Sequence, residues 1–170
     1  MLGWFGIAEN AAAGEADRLL ARLAADLSAA GLRVAGAVQR DTERGGNCAC
    51  DMDLIVLGEE DRPIRISQSL GSGSTGCRLD AGAFEMAVAR IDARLAGAEL
   101  LILPKFGRQE AQGRGYCPLI AQAISIGIPV LLHVSAKRRA AFTAFCGDMG
   151  EHLAADRLSE WCLEQTAGAL

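Results

Sequence analysis

Histidine is scarce in this chain, and positive charge is outweighed. Its two histidines, His133 and His152, have no nearby Ser or Cys in a nucleophile-elbow context, so no nucleophile–His triad can be argued from them. Lys and Arg total 17 against 21 Asp and Glu, giving a net charge of −4 and a pI of about 5.2. That balance excludes a whole-surface nucleic-acid binder but leaves room for a local basic patch. No apolar run approaches the roughly 18 residues a membrane helix requires. The start, Met-Leu-Gly-Trp-Phe-Gly-Ile, lacks the basic n-region of a signal peptide. The expectation is a cytoplasmic protein without nucleic-acid or membrane partners. Six cysteines are present but no C-x-x-C pair. With 51% hydrophobic residues in a chain of 170, the core needs no disulfide staples, so free thiols are expected. Cys146 and Cys162 lie in apolar helical contexts and read as core residues.

The densest concentration of signals is Glu99 to Tyr116. Leu100 to Leu103 is a continuous apolar run, as a strand buried on both faces requires. Pro104 stops it, because proline cannot donate to a central ladder. Lys105, Gly107, Arg108, Glu110, Gly113, Arg114 and Gly115 follow. In an open α/β sheet, ligands bind beyond the carboxyl ends of the strands. A cationic, glycine-rich loop at such an end is therefore the leading site candidate.

Around this stretch, strands and helices alternate. Leu2 to Ile7 reads as a strand. Glu15 to Ala30 reads as a helix with Leu19, Leu20, Leu23 and Leu27 on one face, ended by Gly31. Val34 to Val38 and Met52 to Leu57 read as strands, the latter an edge or one-sided strand because it contains Asp53. Ile64 to Ile66 is its expected hairpin partner. Ser67 to Gly76 is a Ser/Gly-rich segment. Asp80 caps a helix with Phe84, Val88, Ile91 and Leu95 as its apolar stripe. Cys117 to Ser125 is a helix and Val130 to Val134 a strand. Ala136 to Phe145 is a helix carrying Lys137, Arg138 and Arg139 in its first turn, against the helix dipole. Asp156 to Gln165 is the last helix. The pattern is a single α/β domain over residues 1–170. Its architecture is a three-layer sandwich on a mainly parallel, mixed sheet with a β-hairpin insert near residues 52–66.

Several pieces occur in a familiar order: Gly31-Leu-Arg-Val-Ala-Gly-Ala-Val-Gln39, Cys50-Asp-Met-Asp-Leu54, Ile66-Ser-Gln68, Gly76-Cys-Arg-Leu-Asp80, Lys105-Phe-Gly-Arg-Gln-Glu-Ala-Gln-Gly-Arg-Gly115 and Gly127-Ile-Pro-Val130. In these the chain resembles the bacterial DUF2478 family, which is related to the THEP-type P-loop nucleoside triphosphatases. The resemblance implies a P-loop-like fold and a link to molybdate or tungstate handling. An active phosphate loop needs G-x-x-x-x-G-K-[ST]. Here Gly6 and Gly14 stand in the first loop without a following Lys-Ser/Thr pair, and Glu9 and Glu15 would repel a polyphosphate. The related triphosphatases carry Asp-Glu after the focal strand, where this chain has Pro104-Lys105. An efficient triphosphatase is therefore not expected.

The expected ligand is a nucleotide phosphate or a tetrahedral oxyanion such as molybdate. Lys105, Arg108, Arg114 and Arg78 supply its cations, Ser67 and Gln68 its neutral donors, and amides of residues 71–76 a nest. Glu110 is a candidate general base. Cys50 and Cys77 are candidate metal ligands, with Cys48 and Cys117 as further thiols and Asp51 and Asp53 as nearby carboxylates. The alternatives are a residual nucleoside triphosphatase and a non-catalytic interaction module. A homodimer, with Trp4 and Phe5 at the contact if they are not core, is the candidate assembly.

Overall fold

The computed structural model describes residues 1–42, 51–68 and 78–167. The central strands form because their residues are apolar on both faces. Parallel strands β1 (Leu2–Phe5), β7 (Leu100–Leu103) and β8 (Val130–His133) lie inside a seven-stranded sheet. With β2 (Val34–Thr42), β3 (Asp51–Val56), β4 (Ile64–Arg65) and β9 (Gly150–His152), the order is β4-β3-β2-β7-β8-β1-β9. The five strands β2, β7, β8, β1 and β9 run parallel, while β3 and β4 are antiparallel additions.

Side-chain alternation along β7 divides the core. Leu101 and Leu103 join one cluster, whereas Leu100 and Ile102 join the other. The first cluster takes in α2 (Ala81–Asp92), α3 (Cys117–Ser125) and α4 (Arg139–Cys146). The second takes in α1 (Glu15–Ala29) and α5 (Leu158–Thr166). Helices thus cover both faces of the sheet, the expected mainly parallel sandwich. Asp80 caps α2 as its sequence implies, accepting a hydrogen bond from the Ala83 amide at 2.9 Å.

The shape of the carboxyl edge depends on β2. It pairs with β7 only from Val34 to Gly36, then with β3 from Ala37 to Thr42. The β2–β3 ribbon therefore continues past the end of β7. Gly36 stands where the two pairings meet, at φ +127°, and a Cβ there would overlap the Ile102 carbonyl. Only glycine permits this close approach of β2 to β7.

Four details differ from the sequence reading. The strand carrying Asp53 is not an edge: β3 pairs on both sides, and Asp53 is buried. Its charge is answered across the ladder by Arg65, whose Nε donates to Asp53 Oδ1 at 2.6 Å while Nη1 lies 2.7 Å from Asp51 Oδ2. A directly opposed cation of this kind is how a strand accommodates a carboxylate. The cationic first turn before α4 is a 3₁₀ turn over Ala136–Arg138, and Arg139 lies over the Trp4 ring at 5.6 Å. Phe5 is fully buried and the partly buried Trp4 packs against Phe142 and His152, so these two belong to the core, while Met1 is exposed. Finally, β9 is an unexpected strand, because Gly-Glu-His carries no strand signature; it is held by pairing with β1. No helix among the described residues is long and apolar enough to cross a membrane.

Gly36→Ala is expected to destabilise the protein by about 3 kcal/mol or more, since it combines a forbidden φ with a backbone clash. Urea unfolding of the variant beside the unaltered protein checks this.

Candidate functional site

The loop after β7 is built around one buried carboxylate. Pro104 ends the strand, and the Phe106 amide donates to the His133 carbonyl at 2.9 Å, turning the chain across β8. Phe106 is buried against Phe142 and Phe145. A 3₁₀ turn follows at Glu110–Gln112. Glu110 is only 4% exposed. Its Oε2 accepts from the Gly107 amide at 2.8 Å and its Oε1 from the Tyr116 amide at 2.9 Å. Its carbonyl accepts from the Gly113 amide at 2.9 Å and from the Cys117 thiol at 3.3 Å. Burial pushes the Glu110 pKa up, and the amide hydrogen bonds and the nearby Lys105 ammonium pull it back. Gly115, at φ +61°, has no room for a Cβ between the Glu110 carboxylate, Phe84 and Gln109. Charge and glycine in this loop are thus two halves of one device: the acid gathers amides, and glycine lets them approach.

The clasped loop presents Lys105, Arg108 and Arg114 as exposed side chains. All three line one cavity of about 670 Å³, together with Gln109, Glu110 and Gln112 from the same loop. Arg114 donates to the Gln112 side-chain oxygen. Among the described residues none of these cations is held in an ion pair. The opposite wall comes from Gln39 on β2, Met52 and Leu54 on β3, Ile66, Leu79 and Phe84. The ribbon that overruns β7 therefore closes the site.

The adjoining segment contributes less directly. Strand β5 (Ser67–Gln68) pairs with β6 (Arg78–Leu79) in a separate two-stranded sheet. Ser67 Oγ accepts from the Met52 amide at 3.0 Å, which ties this ribbon to β3. Ser67 and Gln68 are not among the residues lining the cavity, whereas Leu79 is. Arg78 is placed by its backbone opposite Gln68; its side chain lies outside the described residues. Cys48, Cys50, Cys77 and the expected nest at residues 71–76 also lie outside them. Cys117, Cys146 and Cys162 are free and buried. Burial pushes the Cys117 thiol up to about 11 and Cys162 up to about 12, so both stay protonated at neutral pH. Among the described residues no three His, Cys, Asp or Glu side chains gather to hold a metal.

The first βα loop has the opposite electrostatic character. Gly14 precedes α1 in the left-handed conformation, and Glu15 accepts from the Ala12 amide at 3.1 Å. Asp17, two residues further on, is partly desolvated, which raises its pKa to about 6; Lys105 draws it back and Asp41 raises it further. His133, at the end of β8, is driven down to about 4 by burial and by Lys105, so it is neutral and supplies no cation. Lys105 thus lies close enough to Asp17, Glu110 and His133 for its charge to bear on all three.

Of the four cations that the sequence singles out, Lys105, Arg108 and Arg114 share the cavity. Gln39, Met52, Leu79, Phe84 and Tyr116, which line it beside them, were not singled out as site residues. Gln39 offered a signal, since it is a polar residue closing the apolar run of β2 and is 4% exposed in the structure.

Residues 7–161 match the family model described as "Protein of unknown function (DUF2478)". The "Molybdenum import ATP-binding protein ModC 2" of Bradyrhizobium diazoefficiens is 42% identical over 142 residues. That match covers 83% of this chain but only 16% of the relative. No solved structure matches the chain.

Asp17 and Glu110 generate separate tests. Because the folded-state pKa of Asp17 is raised, charging it costs stability as pH rises from about 3.8 through about 6. Asp17→Asn is expected to be the more stable protein at pH 7 by about 1–2 kcal/mol, allowing for solvent screening, with the advantage gone near pH 3.5. Urea unfolding at both pH values reads this. Glu110→Gln presents an amide N–H to one of two amide donors, and should destabilise by about 1–3 kcal/mol, read as faster exchange of the Gly107 and Tyr116 amide hydrogens.

Proposed function

The chain belongs to the DUF2478 family of proteins of unknown function, and on that premise we propose that its cavity holds an oxyanion without hydrolysing it. The ligand is a tetrahedral oxyanion such as molybdate or tungstate, or the phosphate of a nucleotide. The observation that carries this reading is the convergence of Lys105, Arg108 and Arg114 on one cavity at the carboxyl edge of the sheet. Guanidinium groups present a planar fork of donors that matches tetrahedral oxyanions, and an ammonium adds a mobile point charge.

The same edge argues against turnover. Phosphoryl transfer rests on positioning and on neutralising charge with a loop lysine and magnesium. In this chain Glu15-Ala16 follows Gly14 where a phosphate loop needs Lys-Ser/Thr. Asp17 adds a second carboxylate at the start of α1. Pro104-Lys105 follows β7, so the strand end offers a cation and no metal-binding carboxylate. Glu110 holds the loop rather than a substrate proton, since both its oxygens already accept amide hydrogens. Support for a molybdenum connection comes from the relative's name, which concerns import of that element, over the 16% of the relative that this chain matches.

Calorimetric titration with molybdate, tungstate, phosphate and ATP tests the proposal. Saturable binding of at least one is expected, weakened about tenfold or more in Arg108→Ala or Lys105→Ala, in keeping with loss of one charge-assisted contact. No magnesium-dependent phosphate release is expected. Silence toward all four, or sustained hydrolysis of Mg·ATP, overturns it.

A further inference from the structure

The cavity is larger, and more apolar on one side, than an oxyanion needs. A bare tetrahedral oxyanion would occupy a small corner of about 670 Å³, a space typical of sites for whole organic ligands. The cationic residues all come from one loop, while Met52, Leu54, Ile66, Leu79 and Phe84 form a facing wall with no charge. Met52 and Leu79 are only half-buried, so this wall leaves apolar surface open to water beside a polar rim. An oxyanion on the cations would leave that surface uncovered.

We infer that the ligand is a phosphorylated planar heterocycle of the nucleotide class, its ring laid against Met52, Leu79 and Phe84 and its phosphate on Lys105, Arg108 and Arg114. This deepens the oxyanion-site reading and rests on it. A flat ring buries apolar faces while presenting polar edges, the combination this cavity offers. Tyr116 strengthens the assignment. It lines the cavity, is 2% exposed and packs edge-on against Phe84 at 4.9 Å. Its hydroxyl is shielded from water and has no hydrogen-bond partner among the described residues. An unpaired buried hydroxyl is costly, and a ring nitrogen or carbonyl pairs it once a small shift of the cavity floor exposes it. The Gln109 side chain, at the rim, carries both a donor and an acceptor for a ring edge. The location is also distinctive. The first βα loop, with Glu15 and Asp17, supplies no described lining residue, so the nucleotide sits on the β2–β3 and α2 side of β7.

Calorimetry with AMP, GMP, ribose phosphate and inorganic phosphate separates the two levels of the argument. AMP or GMP is expected to bind about tenfold or more tighter than ribose phosphate, the scale of one ring stacked on protein. Met52→Ala and Tyr116→Phe, which keeps the ring and its packing, should weaken nucleotide binding severalfold and leave phosphate binding unchanged. Arg108→Ala should weaken both. Equal affinity for nucleotides, ribose phosphate and phosphate overturns the ring assignment while the oxyanion site stands. Nucleotide binding indifferent to both Met52→Ala and Tyr116→Phe also overturns it. Absence of binding by all four compounds overturns this inference, and silence toward molybdate and tungstate as well removes the oxyanion site with it.

Discussion

One buried carboxylate determines how the rest of the candidate site is arranged. Glu110 takes the amides of Gly107 and Tyr116 on its two oxygens, so a loop of ten residues closes on itself. Burying a carboxylate is unfavourable unless its lone pairs are filled. Here the amides fill them, and glycine at 107 and 115 allows the approach. The consequence is functional. With the acid turned inward, the loop's outward side is left to Lys105, Arg108 and Arg114. A solvated loop of the same composition would let Glu110 pair with an arginine and cancel the field.

The sheet supplies the second constraint. Because β2 leaves β7 at Gly36 and continues with β3, a wall of β-ribbon rises beside the cationic loop. The field across the carboxyl edge is consequently split. Glu15 and Asp17 make the first βα loop anionic, and the burial-raised pKa of Asp17 records how poorly that carboxylate is solvated. Lys105 lies between the two regions and moderates both. On the proposed reading, a polyanion approaching this edge is expected to be repelled at α1 and attracted at the loop after β7.

Much of this was legible in the sequence. The buried strand at Leu100–Leu103, its termination by Pro104, the helix at Cys117–Ser125 and the Asp80 cap are local signals, and local physics decides them. The cations were legible because charge beside glycine after a buried strand is a pattern in one dimension. Met52, Leu79 and Tyr116 were not, because apolar residues that line a cavity look like apolar residues that fill a core. Of the two readings of Asp53, an edge or a one-sided strand, the edge failed for a related reason: its partner, Arg65, lies across the ladder, twelve positions on. β9 is recruited by pairing with β1 and has no propensity of its own to read.

The central claim is that anion affinity has moved from the first βα loop to the loop after β7. An amide-resolved NMR titration of the ¹⁵N-labelled protein with a nucleotide, without magnesium, tests it most directly. The account expects shifts concentrated at residues 105–116, with Met52 and Leu79 following and residues 6–17 unmoved. Shifts centred on residues 6–17, with the 105–116 loop silent, would contradict it.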